Sequence, residues 1–103
     1  MANALKRSIG EASTVGSTIL TVPVGATVTI IGCRASNKTN TNVKIGFTLN
    51  GSYISGSDTD LPANTAIDIM GGAKIVAQEN DEFVALCDAD TSVDVVISYL
   101  EQT

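Results

Sequence analysis

The sequence contains no histidine and no tryptophan, and its only aromatic residues are two tyrosines and two phenylalanines. Histidine is the commonest general base, the commonest transition-metal ligand and the usual partner of a nucleophilic Ser or Cys. Its absence argues against catalysis before any motif is considered. The low aromatic content also leaves little surface on which a sugar ring could stack. We therefore predict a protein that is not an enzyme and that carries no cofactor.

Basic residues and long apolar runs are also scarce. Six Lys and Arg face eleven Asp and Glu, which gives a net charge of −5 and no field that attracts nucleic-acid phosphates. The longest apolar runs are a few residues, whereas crossing a bilayer takes about 20. The first residues do not resemble a signal peptide. We expect neither a nucleic-acid nor a membrane partner, and a product that stays in the cytoplasm or enters a particle assembled there.

Only two cysteines are present, Cys33 and Cys87. Each lies in a strand-like run, where it is most simply a small buried apolar residue, and a reducing cytoplasm would keep both as thiols. A disulfide remains an alternative if the two strands face each other, because spacing alone does not decide it.

What the sequence has in abundance is apolar residues that alternate with polar ones. In the last strand-like segment Val93, Val95, Ile97 and Tyr99 fall on one face, the period-two pattern of a half-buried β-strand. Residues 43–49 alternate in the same way and run into Asn50-Gly51. This dipeptide favours a two-residue type I′ turn, so residues 52–55 should return antiparallel to residues 43–49.

Further strand-like runs are separated by Gly, Pro, Asn and Asp. In residues 26–35 Val28, Ile30 and Gly32 share one face and Ile31 and Cys33 the other, as in a central strand. Residues 36–42 and 56–60 read as exposed loops, the first with no side chain that packs. Gly71-Gly72 should break the chain before the next strand. The remaining runs are residues 18–22, 65–70, 73–77 and 82–88.

These runs predict an all-β fold with one domain and no helix. We expect a single antiparallel β-sandwich, jelly-roll-like, of about eight strands over residues 18–103, preceded by an extended N-terminal arm over residues 1–17. A small barrel would show the same alternation. Within the arm a short strand is expected around residues 5–9.

Two carboxylate pairs deserve comparison with catalytic and calcium sites: Asp58 with Asp60, and Asp88 with Asp90. Paired carboxylates hydrolyse glycosides, and oxygen-rich turns bind Ca²⁺. Both pairs lie in predicted turns, however, where Asp accepts hydrogen bonds from nearby backbone amides. We favour that structural role and predict no catalytic and no metal-binding residues.

The arm carries the candidate partner-binding residues. Lys6 and Arg7 place two of the six positive charges near the terminus, and Leu5 and Ile9 give the segment apolar surface to bury. An extended segment of this kind can add as a strand to a neighbouring subunit. A disordered tail is the alternative.

Several segments together resemble a known class of proteins. They are the opening Met-Ala-Asn-Ala-Leu-Lys-Arg-Ser, residues 28–32, residues 61–67, Gly71-Gly72 with residues 74–76, and residues 92–101. These resemble small virion structural proteins of tailed bacteriophages, especially marine and cyanobacterial ones. The resemblance covers nearly the whole chain and implies an all-β module on a capsid or tail, without an active site.

Within that class the resemblance implies two roles. A capsid decoration protein would bind the major capsid protein, and we expect a homo-oligomer, with a trimer favoured. A tail or baseplate accessory protein would instead join tail proteins or a fibre. A carbohydrate-binding β-sandwich is a third reading, which the low aromatic content disfavours. The expected location is the virion, after synthesis in the host cytoplasm.

Overall fold

The computed structural model describes residues 3–56, 58–70 and 74–103. These residues form ten β-strands and contain no helix long and apolar enough to span a membrane. The strands are β1 (Asn3–Glu11), β2 (Ser17–Thr21), β3 (Thr27–Asn37), β4 (Val43–Leu49), β5 (Ser52–Tyr53), β6 (Thr59–Leu61), β7 (Ala66–Asp68), β8 (Ile75–Ala77), β9 (Glu82–Cys87) and β10 (Val93–Gln102).

The strands form two antiparallel sheets that pack face to face, which confirms the predicted β-sandwich. The first sheet has the order β1, β10, β3, with β7 and β8 pairing successive parts of β3. The second has the order β2, β9, β4, with β5 and β6 pairing successive parts of β4. Each sheet is therefore four strand positions wide, and the eight positions agree with the expected number.

The pairing is nested from the ends of the chain inwards. The first strand pairs with the last, β2 with β9, β3 with β7 and β8, and β4 with β5 and β6. A long antiparallel ribbon folded over on itself gives this arrangement, which is that of a double-sheet jelly roll. The expected jelly-roll-like topology follows from this nesting.

Alternating side chains of both sheets fill the core between them. Phe47 and Phe83 lie in neighbouring strands of the second sheet, with ring centroids 5.7 Å apart. The predicted inward face of β10 is correct, since all four of its members are buried. The largest side chains with almost no exposed surface are Phe47, Phe83, Ile30, Ile45, Leu61, Ile97, Val22, Val28, Val93, Val95 and Cys33.

The hairpin between β4 and β5 is confirmed. Leu49 pairs with Ser52, so the loop has two residues, and Asn50 and Gly51 have φ values of 51° and 85°. Positive φ at both positions is the requirement of a type I′ turn.

The faces predicted for residues 26–35 are wrong beyond Ile30. The register between β10 and β3 shifts, because Ser98 pairs with Gly32 whereas Tyr99 pairs with Ile30. Ile31 is the extra residue of this β-bulge, and its side chain is 42% exposed. The bulge places Cys33 on the same buried face as Ile30, which simple alternation does not allow.

Two loop predictions also need correction. Residues 36–42 were expected to pack nothing, but β3 extends to Asn37, whose side chain is only 3% exposed. Residues 59–61 form β6, although most of this segment was predicted to be loop. The predicted break at Gly71-Gly72 lies outside the described residues.

The segment predicted as an N-terminal arm is part of the sandwich. All nine residues of β1 pair with β10, from Asn3 opposite Gln102 to Glu11 opposite Asp94. Ser8 donates a hydrogen bond to the carbonyl of Ile19 on β2, at 2.5 Å. Strand pairing therefore gives no boundary at residue 17, and the extended segment serves as an edge strand of the first sheet.

Candidate functional site

Three of the four predicted partner-binding residues lie together on the outer face of β1. Leu5 and Ile9 are 76% and 62% exposed, and Arg7, between them on the same face, is exposed as well. Because successive strand residues point to opposite faces, Lys6 is directed to the other side of the strand. The structure thus groups Leu5, Arg7 and Ile9 and separates Lys6 from them.

Lys6 has a structural contact instead. Its ammonium group donates a hydrogen bond to the carboxylate of Glu101 on β10, whose side chain is only 10% exposed. This hydrogen bond, and then the negative charge of Glu101, raise the pKa of Lys6 above its ordinary value. The pair neutralises a carboxylate that would otherwise be buried alone.

Cross-strand pairing extends the exposed apolar surface of β1 across the first sheet. Leu5 on β1 pairs with Leu100 on β10, which pairs with Thr29 on β3, which in turn pairs with Val76 on β8. In a parallel row, Ile9 pairs with Val96. We call this surface the outer face of the first sheet. Its apolar members with substantial exposure are Leu5, Ile9, Ile31 and Val76, which is 57% exposed, and the half-buried Val96 and Leu100 lie between them.

A shallow trough crosses this face between its apolar side chains. Two depressions meet at Ser98, one bordered by Leu5, Arg7 and Ile31 and the other by Gly32, Arg34, Asp68 and Val96. Ser98 and Gly32 are paired neighbours in β10 and β3, and both are small. A Cβ atom added at Gly32 would have no atom within 4 Å, so the space above it is open.

Both arginines of the chain border this trough, Arg7 on β1 and Arg34 on β3. Among the described residues neither guanidinium group forms a salt bridge. Asp68 is the register partner of Arg34, and its carboxylate accepts a hydrogen bond from the backbone N–H of Met70 at 3.0 Å. The outer face therefore combines apolar surface with two arginines in a protein that is acidic as a whole.

Asp88 and Asp90 lie in the loop after β9 and accept backbone hydrogen bonds, but from distant segments and not from the nearby amides that we predicted. Asp88 accepts a hydrogen bond from the backbone N–H of Lys44 at 3.0 Å, and Asp90 from that of Thr14 at 2.7 Å. Asp58 and Asp60 are exposed. The described part of the chain contains no group of three or more Cys, Asp or Glu side chains that could hold a metal ion.

Another depression lies on the outer side of the second sheet. It is lined by the exposed ring of Tyr53 together with Lys44, Asp58, Asp88 and Thr14. Gly46, between Lys44 and Thr48 on β4, contributes no side chain to it. The arrangement places one aromatic ring beside hydroxyl, ammonium and carboxylate groups.

Cys33 and Cys87 are both buried free thiols, as we predicted, and the alternative, a disulfide between them, is not formed. Burial, and then the charge of Asp68, raise the pKa of Cys33 to about 12. Cys87 donates a hydrogen bond from its thiol to the carbonyl of Ala89. A thiol that stays protonated at neutral pH is a poor nucleophile, so Cys33 has the character of a core residue.

Lys38 is the only cation of the described residues that contacts two carboxylates, Glu11 at 2.6 Å and Asp94 at 2.9 Å. Hydrogen bonds to these two groups raise the pKa of Lys38. The ammonium form is therefore favoured, and the cluster links the ends of β1, β3 and β10 without offering a nucleophile.

Sequence reasoning found the β1 residues of the outer face but missed those contributed by β3 and β10. Ile31 and Gly32 were assigned to faces without knowledge of the bulge, and Arg34 and Ser98 carried no motif. The only available signal was that both arginines lie in strand-like runs beside small residues.

Comparison of the chain with protein-family models, with curated proteins and with solved structures gave no match.

Proposed function

We propose that this chain is a non-enzymatic structural protein of a bacteriophage virion, acting as a capsid decoration protein that binds and stabilises the lattice of the major capsid protein. The observation that carries the proposal is the outer face of the first sheet, where Leu5, Ile9 and Val76 are each more than half exposed. Contiguous apolar patches on a protein surface commonly mark contacts with other proteins.

The fold supports the same class of function by analogy. Double-sheet jelly rolls occur in viral capsid and lectin domains, in both of which a rigid sandwich presents a surface to a partner. The resemblance of the sequence to phage virion proteins favours the capsid over the lectin reading. The nested pairing of β1 with β10 also holds Leu5, Arg7 and Ile9 on a rigid sheet.

Repetition would supply the stabilising effect. One small apolar patch gives a modest affinity, but many copies bound to one shell each add a contact between neighbouring subunits, and a bound trimer would present three patches at once. We propose that the homo-oligomer is a trimer. It would bind the shell more tightly than a monomer, although each subunit makes the same contacts with the capsid in both cases.

The test is a double substitution in the outer face, Leu5→Asp with Ile9→Asp. Because both side chains are exposed, the fold should survive, whereas docking would require burial of two carboxylates. The matched control is Val15→Asp with Val24→Asp, since these residues are 90% and 78% exposed in turns and the charge change is identical.

The measurement is the number of copies that bind to purified capsids of the phage that encodes the protein. We expect the outer-face variant to bind at least roughly tenfold more weakly, as for a loss of about 1.4 kcal/mol, and the control to bind like the unsubstituted protein. Equal binding by all three proteins would show that the outer face is not the docking surface.

A tail or baseplate accessory role is the alternative, and the docking surface could be the same. Cryo-electron microscopy of the purified particle separates the two roles. Density for this sandwich repeated over the head supports decoration, whereas density confined to the tail supports the accessory role and rejects the decoration proposal.

A carbohydrate-binding role is a second alternative, and one observation favours it. Tyr53 is 55% exposed and lies beside the carboxylates of Asp58 and Asp88 in the depression of the second sheet. An aromatic ring beside hydrogen-bonding groups suits a sugar. Retention of the protein on host-cell glycans that is lost with Tyr53→Ala would support this role, and equal retention of both proteins would reject it.

A further inference from the structure

We infer that the trough across the first sheet binds an extended segment of the partner subunit in which an acidic, an apolar and a second acidic residue occupy alternate positions. This inference rests on the proposed docking function and names the chemistry of its partner. It follows from the shape of the trough, from the placement of its two arginines and from the sequence of the chain itself.

The floor of the trough accepts one apolar side chain. Ser98 and Gly32 lie side by side in neighbouring strands, and no atom lies within 4 Å of the position that a Cβ of Gly32 would take. Leu5 and Ile31 border the trough on one side and Val96 on the other. An apolar side chain of a partner placed over this floor would contact apolar groups on both sides.

The arginines lie on opposite sides of this floor. Arg7 on β1 pairs with Ser98 on β10, which pairs with Gly32 on β3. Arg34 lies on β3 two residues after Gly32, and β3 is two strands away from β1. With strands about 4.8 Å apart and a rise of about 3.4 Å per residue, the two backbone positions are about 12 Å apart in the sheet.

An extended segment matches this spacing. Residues i, i+2 and i+4 of a strand point to the same side, and i and i+4 are about 13 Å apart. Carboxylates at i and i+4 would therefore reach Arg7 and Arg34, the latter beside the carboxylate of its register partner Asp68, while the side chain at i+2 lies over the trough beside Ser98. Arginine binds carboxylates through two parallel hydrogen bonds, which favours acidic residues at both positions.

The occupant is a different protein, not a second copy of this chain. The sequence contains no segment with acidic, apolar and acidic residues at alternate positions. Under the proposed function the segment belongs to the major capsid protein.

The first experiment tests the ligand chemistry with synthetic peptides. The isotope-labelled protein is titrated at low salt with acetyl-Thr-Glu-Thr-Leu-Thr-Glu-Thr-amide, and the amide signals of Gly32 and Ser98 are followed by NMR. Two control peptides carry Lys in place of both Glu residues, or Ala in place of Leu. We expect saturable shifts at the trough with the first peptide and at least about fivefold weaker binding of each control.

Substitutions in the protein complete this test. Gly32→Leu should abolish peptide binding because it fills the trough, and Arg7→Gln with Arg34→Gln should weaken it. Thr21→Leu, at an exposed position of β2 in the other sheet, is the control for added bulk. No saturable shift with the first peptide, or equal binding of the Lys peptide, would overturn the inference.

Capsid binding then separates this inference from the proposed function. If the Leu5→Asp and Ile9→Asp variant loses capsid binding while Gly32→Leu and the double Arg→Gln variant bind normally, the outer face docks but the trough inference is wrong. If all of these variants bind normally, the proposed docking function fails as well. Loss of binding in all three, with Thr21→Leu unaffected, supports both.

Discussion

Asn37 organises the loop between β3 and β4 from a buried position. Its side-chain amide group donates to the carbonyls of Thr41, Leu61 and Pro62 at 2.8, 3.1 and 3.2 Å. Its carbonyl oxygen accepts from the backbone N–H and the hydroxyl of Thr39 at 2.9 and 2.7 Å. One side chain thus satisfies backbone groups from two separate segments, which a polar sequence such as Ser-Asn-Lys-Thr does not reveal.

Replacing Asn37 should be costly for this reason. We expect Asn37→Ala to lower the free energy of unfolding by about 2 kcal/mol, since three carbonyls lose a donor in a buried site. Asn37→Asp should cost more, because it places a carboxylate against those carbonyls. Urea unfolding is the measurement, and Asn42→Ala, which removes one exposed hydrogen bond to Ala63, is the control. Equal effects at both positions would contradict the role of Asn37.

The buried thiol of Cys33 predicts a pH dependence of stability. Its pKa is raised from an ordinary 9.0 to about 12 in the folded protein, mainly by burial. The folded state therefore holds the proton more tightly than the unfolded state. The resulting stability is complete below pH 9 and is lost as the pH rises towards 12.

Cys33→Ala isolates this effect from other groups that titrate at high pH. We expect the difference in unfolding free energy between the unsubstituted protein and this variant to be constant below pH 9 and to shrink at higher pH, measured by urea unfolding. The folded protein should also leave Cys33 unmodified by a thiol reagent at pH 8. A difference that does not change with pH would show that the thiol is not held protonated by the fold.

Among the elements, the hairpin between β4 and β5 gives a test of backbone conformation without packing. A Cβ at Gly51 would meet no atom within 4 Å, but φ there is 85°, so Gly51→Ala adds only conformational strain. We expect a loss of about 1 kcal/mol. Gly32→Ala is the matched control, because its site is equally open and its φ lies outside the left-handed region.

Thermal or urea unfolding of the two Gly→Ala variants decides this prediction. Gly32→Ala should be neutral or slightly stabilising, since alanine restricts the unfolded chain more than glycine does. Similar losses in both variants would contradict the explanation by positive φ.

At the scale of the strand, the bulge at Ile31 shows where alternation stops being informative. A period of two assigns every side chain to a face only while the register is unbroken. The extra residue reverses the assignment from there to Asn37, buries Cys33 and Ala35, and turns Ile31 outwards. Nothing in residues 26–35 marks the bulge, because it depends on pairing with β10.

For the whole molecule, the decisive element is β1. It pairs with β10 along its full length, and its polar inward residues Lys6 and Ser8 bond to Glu101 and to the backbone of β2. If this segment were a removable arm, its deletion would leave the sandwich unchanged. Because it is an edge strand of the first sheet, its deletion should disturb the sandwich.

Deletion of residues 1–11 distinguishes these two cases. We expect the truncated protein to melt at a clearly lower temperature and to associate, because the backbone groups of β10 lose their partners and become an open edge. Circular dichroism and size-exclusion chromatography at several concentrations are the measurements. A truncated protein that is monomeric and as stable as the full chain would restore the arm interpretation.

The sequence by itself determined the local features of this protein. Alternation identified most strands and the buried face of β10, and Asn50-Gly51 identified the hairpin, because each of these depends on neighbours in the chain. Only the tertiary structure decided the placement of β1, the burial of Asn37, the bulge and the trough. These depend on contacts between residues far apart in sequence, such as Arg7 with Ser98 and Asn37 with Leu61, and the backbone of distant strands must be in place before such contacts exist.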